Sequence, residues 1–140
     1  LDFIVNKIPL KIKIIENEIG AYLGGLYREI KKAHIILNIH SREESLVETA
    51  RIHDCLRMGQ CIIVSEDSNI DQKTVEQYKN IVNFTPTIKN NLSNIYETLK
   101  VVKNLLNQNL EQQYQDIENN TRILNNDILN LHVNTYKKFT

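Results

Sequence analysis

The sequence contains no tryptophan, few cysteines and no excess of charge of either sign. Its 17 lysine and arginine residues balance 17 aspartate and glutamate residues, so we expect neither a basic nucleic-acid surface nor a polybasic membrane patch. No apolar run approaches the roughly 20 residues that a bilayer-spanning helix needs. A hydrophobic content of 41% over 140 residues argues against wholesale disorder and fits one compact domain.

The cysteines and histidines do not follow a disulfide or metal-binding pattern. Cys55 and Cys61 show no CxxC spacing and are too few for a disulfide scaffold. The four histidine residues lack the spacing of zinc ligands: His34, His40, His53 and His132. We therefore expect two reduced thiols in the core and neither a metal site nor a cofactor. Reduced thiols and the lack of a signal-peptide pattern together predict a cytoplasmic protein.

Runs typical of β-strands recur along the first two thirds of the chain. The predicted strands cover residues 2–6, 11–16, 34–40, 61–64 and 81–85. The runs at 34–40 and 61–64 are nearly all apolar, which is typical of central strands that are covered on both faces.

Helical segments alternate with these strands. One helix ends near Lys32, after a glycine turn that lacks the GxGxxG spacing of dinucleotide-binding folds. A second runs from Ser45 to Met58 with Gly59 as its C-terminal stop, and a short one covers 75–80. The alternation predicts an α/β fold with a Rossmann-like, mostly parallel sheet and helices on both faces. Such sheets bind ligands at the carboxyl ends of their strands.

The pattern changes after Asn91, where apolar residues recur every three or four positions. This spacing predicts a long amphipathic helix, or two helices with a break at Asn107–Asn109. We divide the chain into a Rossmann-like domain (1–106) and a C-terminal helical extension (107–140). The extension either packs on the domain or forms an oligomer seam, because its apolar stripe is narrow, as in a coiled coil.

The segment most informative about function runs from Leu37 to Glu66 and reads LNIHSREESLVETARIHDCLRMGQCIIVSE. It predicts a strand, a polar loop, a helix, a glycine turn and a second strand. The N-terminus of the helix, near Ser45, offers unpaired N–H groups and a partial positive charge that can hold a phosphate. Glu48 faces the same opening, and a carboxylate there can accept hydrogen bonds from sugar hydroxyls.

This segment resembles the donor-binding, C-terminal half of GT-B glycosyltransferases, particularly a group related to spore-maturation and capsule-type enzymes. The resemblance covers roughly residues 10–106. It is carried by four elements in order: Leu37-Asn38-Ile39-His40, Glu48-Thr49-Ala50-Arg51-Ile52, Gly59 and Ile63-Val64-Ser65-Glu66.

The resemblance implies a role for each matching position. A glutamate at the position of Glu48 holds the ribose hydroxyls, and the backbone amides of Leu46 and Val47 face the diphosphate. The wider class carries a glutamate where this sequence has His40, so His40 would contact the diphosphate or the sugar. Arg51 would support the loop or neutralise phosphate. The predicted nucleotide-sugar site comprises His40, Ser45, Leu46, Val47, Glu48, Arg51, Ser65 and Glu66.

Each of these residues also has a purely structural interpretation. Ser45 and Glu48 have the spacing of a capping box that starts the helix. Arg51 lies three residues after Glu48 and is placed for an ordinary ion pair. His40 at a strand end is suited to a structural hydrogen bond, and the last two residues of the second strand could shape the loop that follows.

The predicted function is donor binding in the transfer of a sugar from a nucleotide-sugar to an unknown acceptor, without an obligatory metal. In GT-B enzymes the acceptor site, and usually the catalytic base, belong to a second Rossmann half. We therefore expect a fragment of a longer enzyme, or a chain that needs a partner, and assign no catalytic residue. The alternative is a non-catalytic interaction module that uses the Rossmann core as a scaffold and oligomerises through its helical extension.

Overall fold

Short parallel strands alternate with helices along the chain. The computed structural model describes residues 11–13, 25–40, 42, 44–58, 61–88 and 91–139. In chain order, the elements within these ranges are α1 (Gly25–Lys32), β1 (Ile35–Asn38), α2 (Thr49–Arg57), β2 (Ile62–Glu66), α3 (Gln72–Tyr78), β3 (Val82–Thr85), α4 (Leu92–Leu106) and α5 (Leu110–Phe139).

The three strands form one parallel sheet with β2 in the centre. Ile35 of β1 is in register with Ile62 of β2, and Ile63 is in register with Val82 of β3. Every residue of β2 is buried, as expected for an apolar run that is covered on both faces. One helix lies in each crossover, α2 between β1 and β2 and α3 between β2 and β3.

The two faces of the sheet belong to separate hydrophobic clusters. Ile63 packs with Ile52 of α2 and Tyr78 of α3 in one cluster. Ile62 and Val64 pack with α4 and the start of α5 in the other, which includes Leu105. The structure therefore confirms the predicted α/β fold with a parallel sheet and helices on both faces.

The C-terminal segment forms two helices. α4 ends at Leu106 and α5 begins at Leu110, with Oδ1 of Asn109 accepting a hydrogen bond from the backbone N of Gln112 at 3.1 Å. Asparagine is a favoured cap because its side chain satisfies an otherwise unpaired N–H group of the first helical turn. The predicted break at Asn107–Asn109 is confirmed.

α5 is long relative to the sheet it covers. Its 30 residues extend about 45 Å at 1.5 Å per residue. Ile117 and Leu124 pack against the core, whereas Leu129 and Val133 are 60% and 42% exposed. The first half of α5 thus covers the domain. No described helix combines the length and the hydropathy that crossing a bilayer requires.

The start of α2 differs from the prediction. The helix begins at Thr49, four residues after the predicted start at Ser45. The intervening segment is held by the loop after β2, because Oδ2 of Asp71 accepts from Val47 N at 3.1 Å and Ser68 Oγ donates to the carbonyl of Ser45 at 2.5 Å. The predicted helix start was wrong because these contacts join segments that are distant in sequence.

Other predicted boundaries shift or fall outside the described residues. The strand predicted at 34–40 is shorter and ends at Asn38, and the helix predicted at 75–80 begins earlier, at Gln72. Residues 11–13 lie outside any strand, contrary to the prediction for 11–16, of which the remainder is outside the described ranges. The predicted strand at 2–6 and the Gly59 stop also lie outside them.

Replacing Leu124 tests the packing of α5. Leu124 is 6% exposed, so Leu124→Ala leaves a cavity between α5 and the core and is expected to lower the free energy of unfolding by about 2–5 kcal/mol. Leu129→Ala, at a 60% exposed position of the same helix, should change it by less than about 0.5 kcal/mol. Urea denaturation measures both, and equal effects would contradict this packing.

Candidate functional site

Asn38, the last residue of β1, is the centre of a polar network at the carboxyl edge of the sheet. Its Nδ2 atom donates to Glu48 Oε2 at 2.5 Å and to Ser65 Oγ at 3.1 Å. Its Oδ1 atom accepts from Arg51 Nη1 at 2.7 Å. Asn38 is only 6% exposed, so this one amide fixes side chains from β2 and from the start of α2 relative to β1.

His40 is a buried neighbour of Glu48. Its imidazole is 2% exposed, with Nδ1 at 3.1 Å from Glu48 Oε2 and Nε2 at 3.2 Å from the carbonyl oxygen of Asp67. Because a carbonyl oxygen only accepts, the Nε2 atom donates in this contact. Both ring nitrogens thus have partners, an arrangement that favours a structural role for His40; direct contact with a ligand stays a prediction.

Glu48 is the most accessible carboxylate of this network. Its side chain is 25% exposed, Oε2 accepts from Asn38 Nδ2, and the same oxygen lies 3.1 Å from His40 Nδ1. The other oxygen, Oε1, makes no hydrogen bond to a described residue and lies 3.8 Å from Arg51 Nη1. The predicted i,i+3 ion pair therefore forms, but Arg51 is 57% exposed and such a pair contributes little to stability. Glu48 therefore retains acceptor capacity that no described residue uses.

The predicted capping box does not form. Glu48 is the N-cap residue of α2, and its side chain makes no capping hydrogen bond. The hydroxyl of Ser45 instead donates to the carbonyl of Arg42 at 2.9 Å. The network around Asn38 therefore holds Glu48 in place of a local helix cap.

Glu66 joins the loops that follow β1 and β3. Its carboxylate is 3% exposed, with Oε2 accepting from His40 N at 2.5 Å and Oε1 accepting from Ile88 N at 2.6 Å. A buried carboxylate is costly unless it is hydrogen-bonded, and here each oxygen receives a backbone N–H. Ser65 is fully buried beside it. Glu66 and Ser65 are thus buried residues that support the site. Direct contact of either residue with a ligand stays a prediction.

The predicted diphosphate contacts are arranged differently from the expectation. Val47 N donates to Asp71 Oδ2, and Leu46 lies in the loop with a side chain that is 63% exposed. Because α2 starts at Thr49, its first-turn amides are those around Ala50 and Arg51. Neither of these two amides has a hydrogen-bond partner among the described residues. The helix N-terminus therefore lies next to Glu48 and the Arg51 guanidinium.

Sequence reasoning assigned no role to Asn38 and missed the two aspartates that hold the loops, Asp67 and Asp71. A polar residue within an otherwise apolar strand was the available signal for Asn38, since such a residue must find partners when it is buried. The aspartates gave no signal, because polar loop residues are ordinarily solvated. Among the described residues, no group of three or more His, Cys, Asp or Glu side chains is arranged to hold a metal ion.

Comparison of the chain with protein-family models, with curated proteins and with solved structures finds no match. The resemblance to GT-B glycosyltransferases consequently rests on the motif residues and stays a prediction. The geometry around Asn38 and Glu48 is what bears on function.

The role of Glu66 can be tested by Glu66→Gln. Glutamine has one acceptor oxygen, and its NH₂ group would face a backbone N–H, so one buried donor loses its partner. We expect the free energy of unfolding to fall by about 1–3 kcal/mol, measured by urea denaturation. The matched control is Glu97→Gln on the exposed surface of α4, which should change it by less than about 0.5 kcal/mol. An unaltered stability of Glu66→Gln would show that the two backbone contacts contribute nothing.

Proposed function

We propose that this chain binds the nucleotide-sugar donor of a glycosyltransferase through Glu48, Arg51 and the N-terminus of α2. The observation that carries the proposal is the position of Glu48 at the carboxyl edge of a parallel sheet. Asn38 and His40 anchor one of its carboxylate oxygens, and no described residue hydrogen-bonds the other. Open parallel sheets of α/β proteins bind their ligands at this edge.

Glu48 suits the recognition of sugar hydroxyls. A carboxylate only accepts hydrogen bonds, and the vicinal hydroxyls of a ribose are donors to it. Two contacts that hold Oε2 restrict the rotation of the side chain, so less conformational entropy is lost when a ligand binds. This role agrees with the one that the resemblance implies for Glu48.

Arg51 and the start of α2 suit the diphosphate. The guanidinium carries five N–H donors, of which one is used by Asn38, and the side chain is 57% exposed. The first-turn amides of α2 add a partial positive charge at the same place. Such fixed donors would stabilise the charge that develops on a leaving nucleoside diphosphate, without a metal.

Further parts of the proposal concern partners and location. The acceptor site and catalytic base would come from another domain or chain, so the chain alone is not expected to transfer sugar. A cytoplasmic location is supported by Cys55 and Cys61, which are buried and free. A balanced net charge gives no reason to expect binding to nucleic acid.

Calorimetric titration with UDP, GDP and their sugar conjugates tests donor binding. We expect one nucleotide to bind and Glu48→Gln to weaken that binding by about tenfold, equivalent to about 1.4 kcal/mol, because an acceptor for the ribose is lost. Arg51→Gln should weaken the binding of the nucleoside diphosphate more than the binding of the nucleoside, because the nucleoside has no phosphate for Arg51 to contact.

The control for this titration is Glu97→Gln, which should leave the affinity unchanged. Thermal unfolding of each variant verifies that it is folded. Failure of the folded wild-type chain to bind any nucleotide of the panel would contradict the proposal, as would equal affinities of the wild type and Glu48→Gln.

The alternative function, an interaction module, is favoured by one observation. Beyond Ile128, α5 carries the exposed apolar side chains of Leu129 and Val133. Because Leu124 and Ile128 pack on the core, removing all of α5 would also damage the fold.

Truncation after Ile128 separates self-association from folding. If α5 forms an oligomer seam, the full chain should sediment as an oligomer and the truncated chain as a folded monomer, as measured by analytical ultracentrifugation and circular dichroism. A monomeric full chain at the highest soluble concentration would contradict the seam.

A further inference from the structure

The imidazole of His40 faces two hydrogen-bond acceptors. Nε2 lies 3.2 Å from the carbonyl oxygen of Asp67, and Nδ1 lies 3.1 Å from Oε2 of Glu48. A carbonyl oxygen and an ionised carboxylate both accept hydrogen bonds and donate none. A neutral imidazole carries a single N–H group, so its other nitrogen would direct an unshared electron pair at an oxygen atom. Both contacts are hydrogen bonds if each ring nitrogen carries a proton, as in an imidazolium.

A second arrangement of protons would also satisfy the ring. If Glu48 were a carboxylic acid, its Oε2 atom would donate to Nδ1 of a neutral His40. Two neighbours of Glu48 oppose this arrangement. Asn38 Nδ2 donates to the same Oε2 atom, and the guanidinium of Arg51 lies 3.8 Å from Oε1. A donor and a cation stabilise a carboxylate rather than a carboxylic acid, so the extra proton belongs on His40.

The charges around His40 suit a cation at this position. The imidazole is 2% exposed, and a buried cation requires negative charge nearby. Glu48 contacts the ring, and the carboxylate of Glu66 accepts from the backbone N of the same residue. Asp67, which contributes the carbonyl at Nε2, carries a third carboxylate. The positive charge on this side of the sheet is that of Arg51, which is 57% exposed and therefore screened by solvent.

We propose that His40 is a proton-dependent positioning residue that links Glu48 to the loop after β2. With a proton on each nitrogen, the ring donates to Glu48 Oε2 and to the carbonyl of Asp67 at the same time. A neutral ring donates in one direction only, so one of the two contacts becomes repulsive. The link therefore exists while His40 is charged and opens when the ring releases one proton to solvent.

This link restricts the position of Glu48. Asn38 holds Oε2 from the end of β1, and His40 connects the same oxygen to Asp67, the residue that directly follows β2. When the link opens, the carboxylate gains freedom that a ligand must restrict again on binding. Donor binding should thus be strongest where His40 is charged and should weaken as the pH rises. This consequence rests on the proposed function, whereas the charge on the ring does not.

Nitrogen-15 NMR of the full chain without ligand tests the charge on the ring. At a pH of about 6, a histidine that is buried without a counter-charge is neutral, because burial disfavours the charged form. For His40 we expect a hydrogen on each ring nitrogen, and both hydrogens should exchange with water more slowly than those of the exposed His34. At a pH of about 8.5, only one nitrogen should carry a hydrogen. A hydrogen on one nitrogen alone at the lower pH would overturn the proposal, including the case in which the second proton lies on Glu48.

The opening of the link can be followed at its two acceptors. As the pH rises, the carbon-13 signal of the Glu48 carboxylate or of the Asp67 carbonyl should shift with the same midpoint as the ring of His40, because one acceptor loses its donor. His40→Gln removes the titrating ring and should abolish this shift. The matched control is His34→Gln at an exposed position, which should leave the shift in place. If neither acceptor follows the ring in the wild type, the link does not exist; this titration decides the matter even if His40→Gln does not fold.

Calorimetry with UDP-glucose and GDP-mannose measures the effect on binding. Between a pH of about 6 and about 8.5, the wild type should lose affinity by about fivefold, and His40→Gln by less than about twofold. Neither probe has a phosphate group that titrates in this range, so the change belongs to the protein. Binding that ignores the titration of His40 would overturn its positioning role. If neither probe binds at any pH, the proposed function fails, and the NMR titration still decides the state of His40.

Discussion

The candidate site depends on the buried carboxylate of Glu66. Glu66 ends the central strand and accepts backbone N–H groups from the loops after both neighbouring strands. Parallel strands leave polar backbone groups at their carboxyl ends, and these groups must find partners if they are buried. The side chain of Glu66 provides an acceptor for one such N–H group from each neighbouring loop. The segment that carries His40 is therefore positioned by the same residue that fixes Ile88 on the far side of the sheet.

A second layer of contacts builds on this base. Asn38 and His40 both hold Glu48, and Asn38 also holds Arg51. The charged residues nearest to solvent are thus oriented by polar residues that are themselves buried. Such an arrangement keeps the outer side chains within a narrow range of positions, which is the requirement for recognising a polar ligand with several directional groups.

The sequence predicts those features that depend on local pattern. The apolar run that became β2 and the asparagine-rich break before α5 were identified correctly, because strand burial and helix capping leave signals in adjacent residues. The start of α2 was predicted wrongly, because Val47 is held by Asp71, which lies 24 residues further along the chain. The capping box was a sound local interpretation of Ser45 and Glu48, but the long-range contacts of Asn38 and His40 with Glu48 replaced it. The role of Glu66 likewise depends on two loops that meet only in the folded sheet.

Two of the hydrogen bonds between the loop before α2 and the loop after β2 also affect how a ligand would bind. They join Ser45 to Ser68 and Val47 to Asp71, so the backbone on one side of Glu48 is already ordered in the free protein. The loop loses its conformational entropy when the chain folds, so this entropy is not lost a second time when a ligand binds. A ligand that binds here would therefore require little rearrangement of the chain on this side of Glu48.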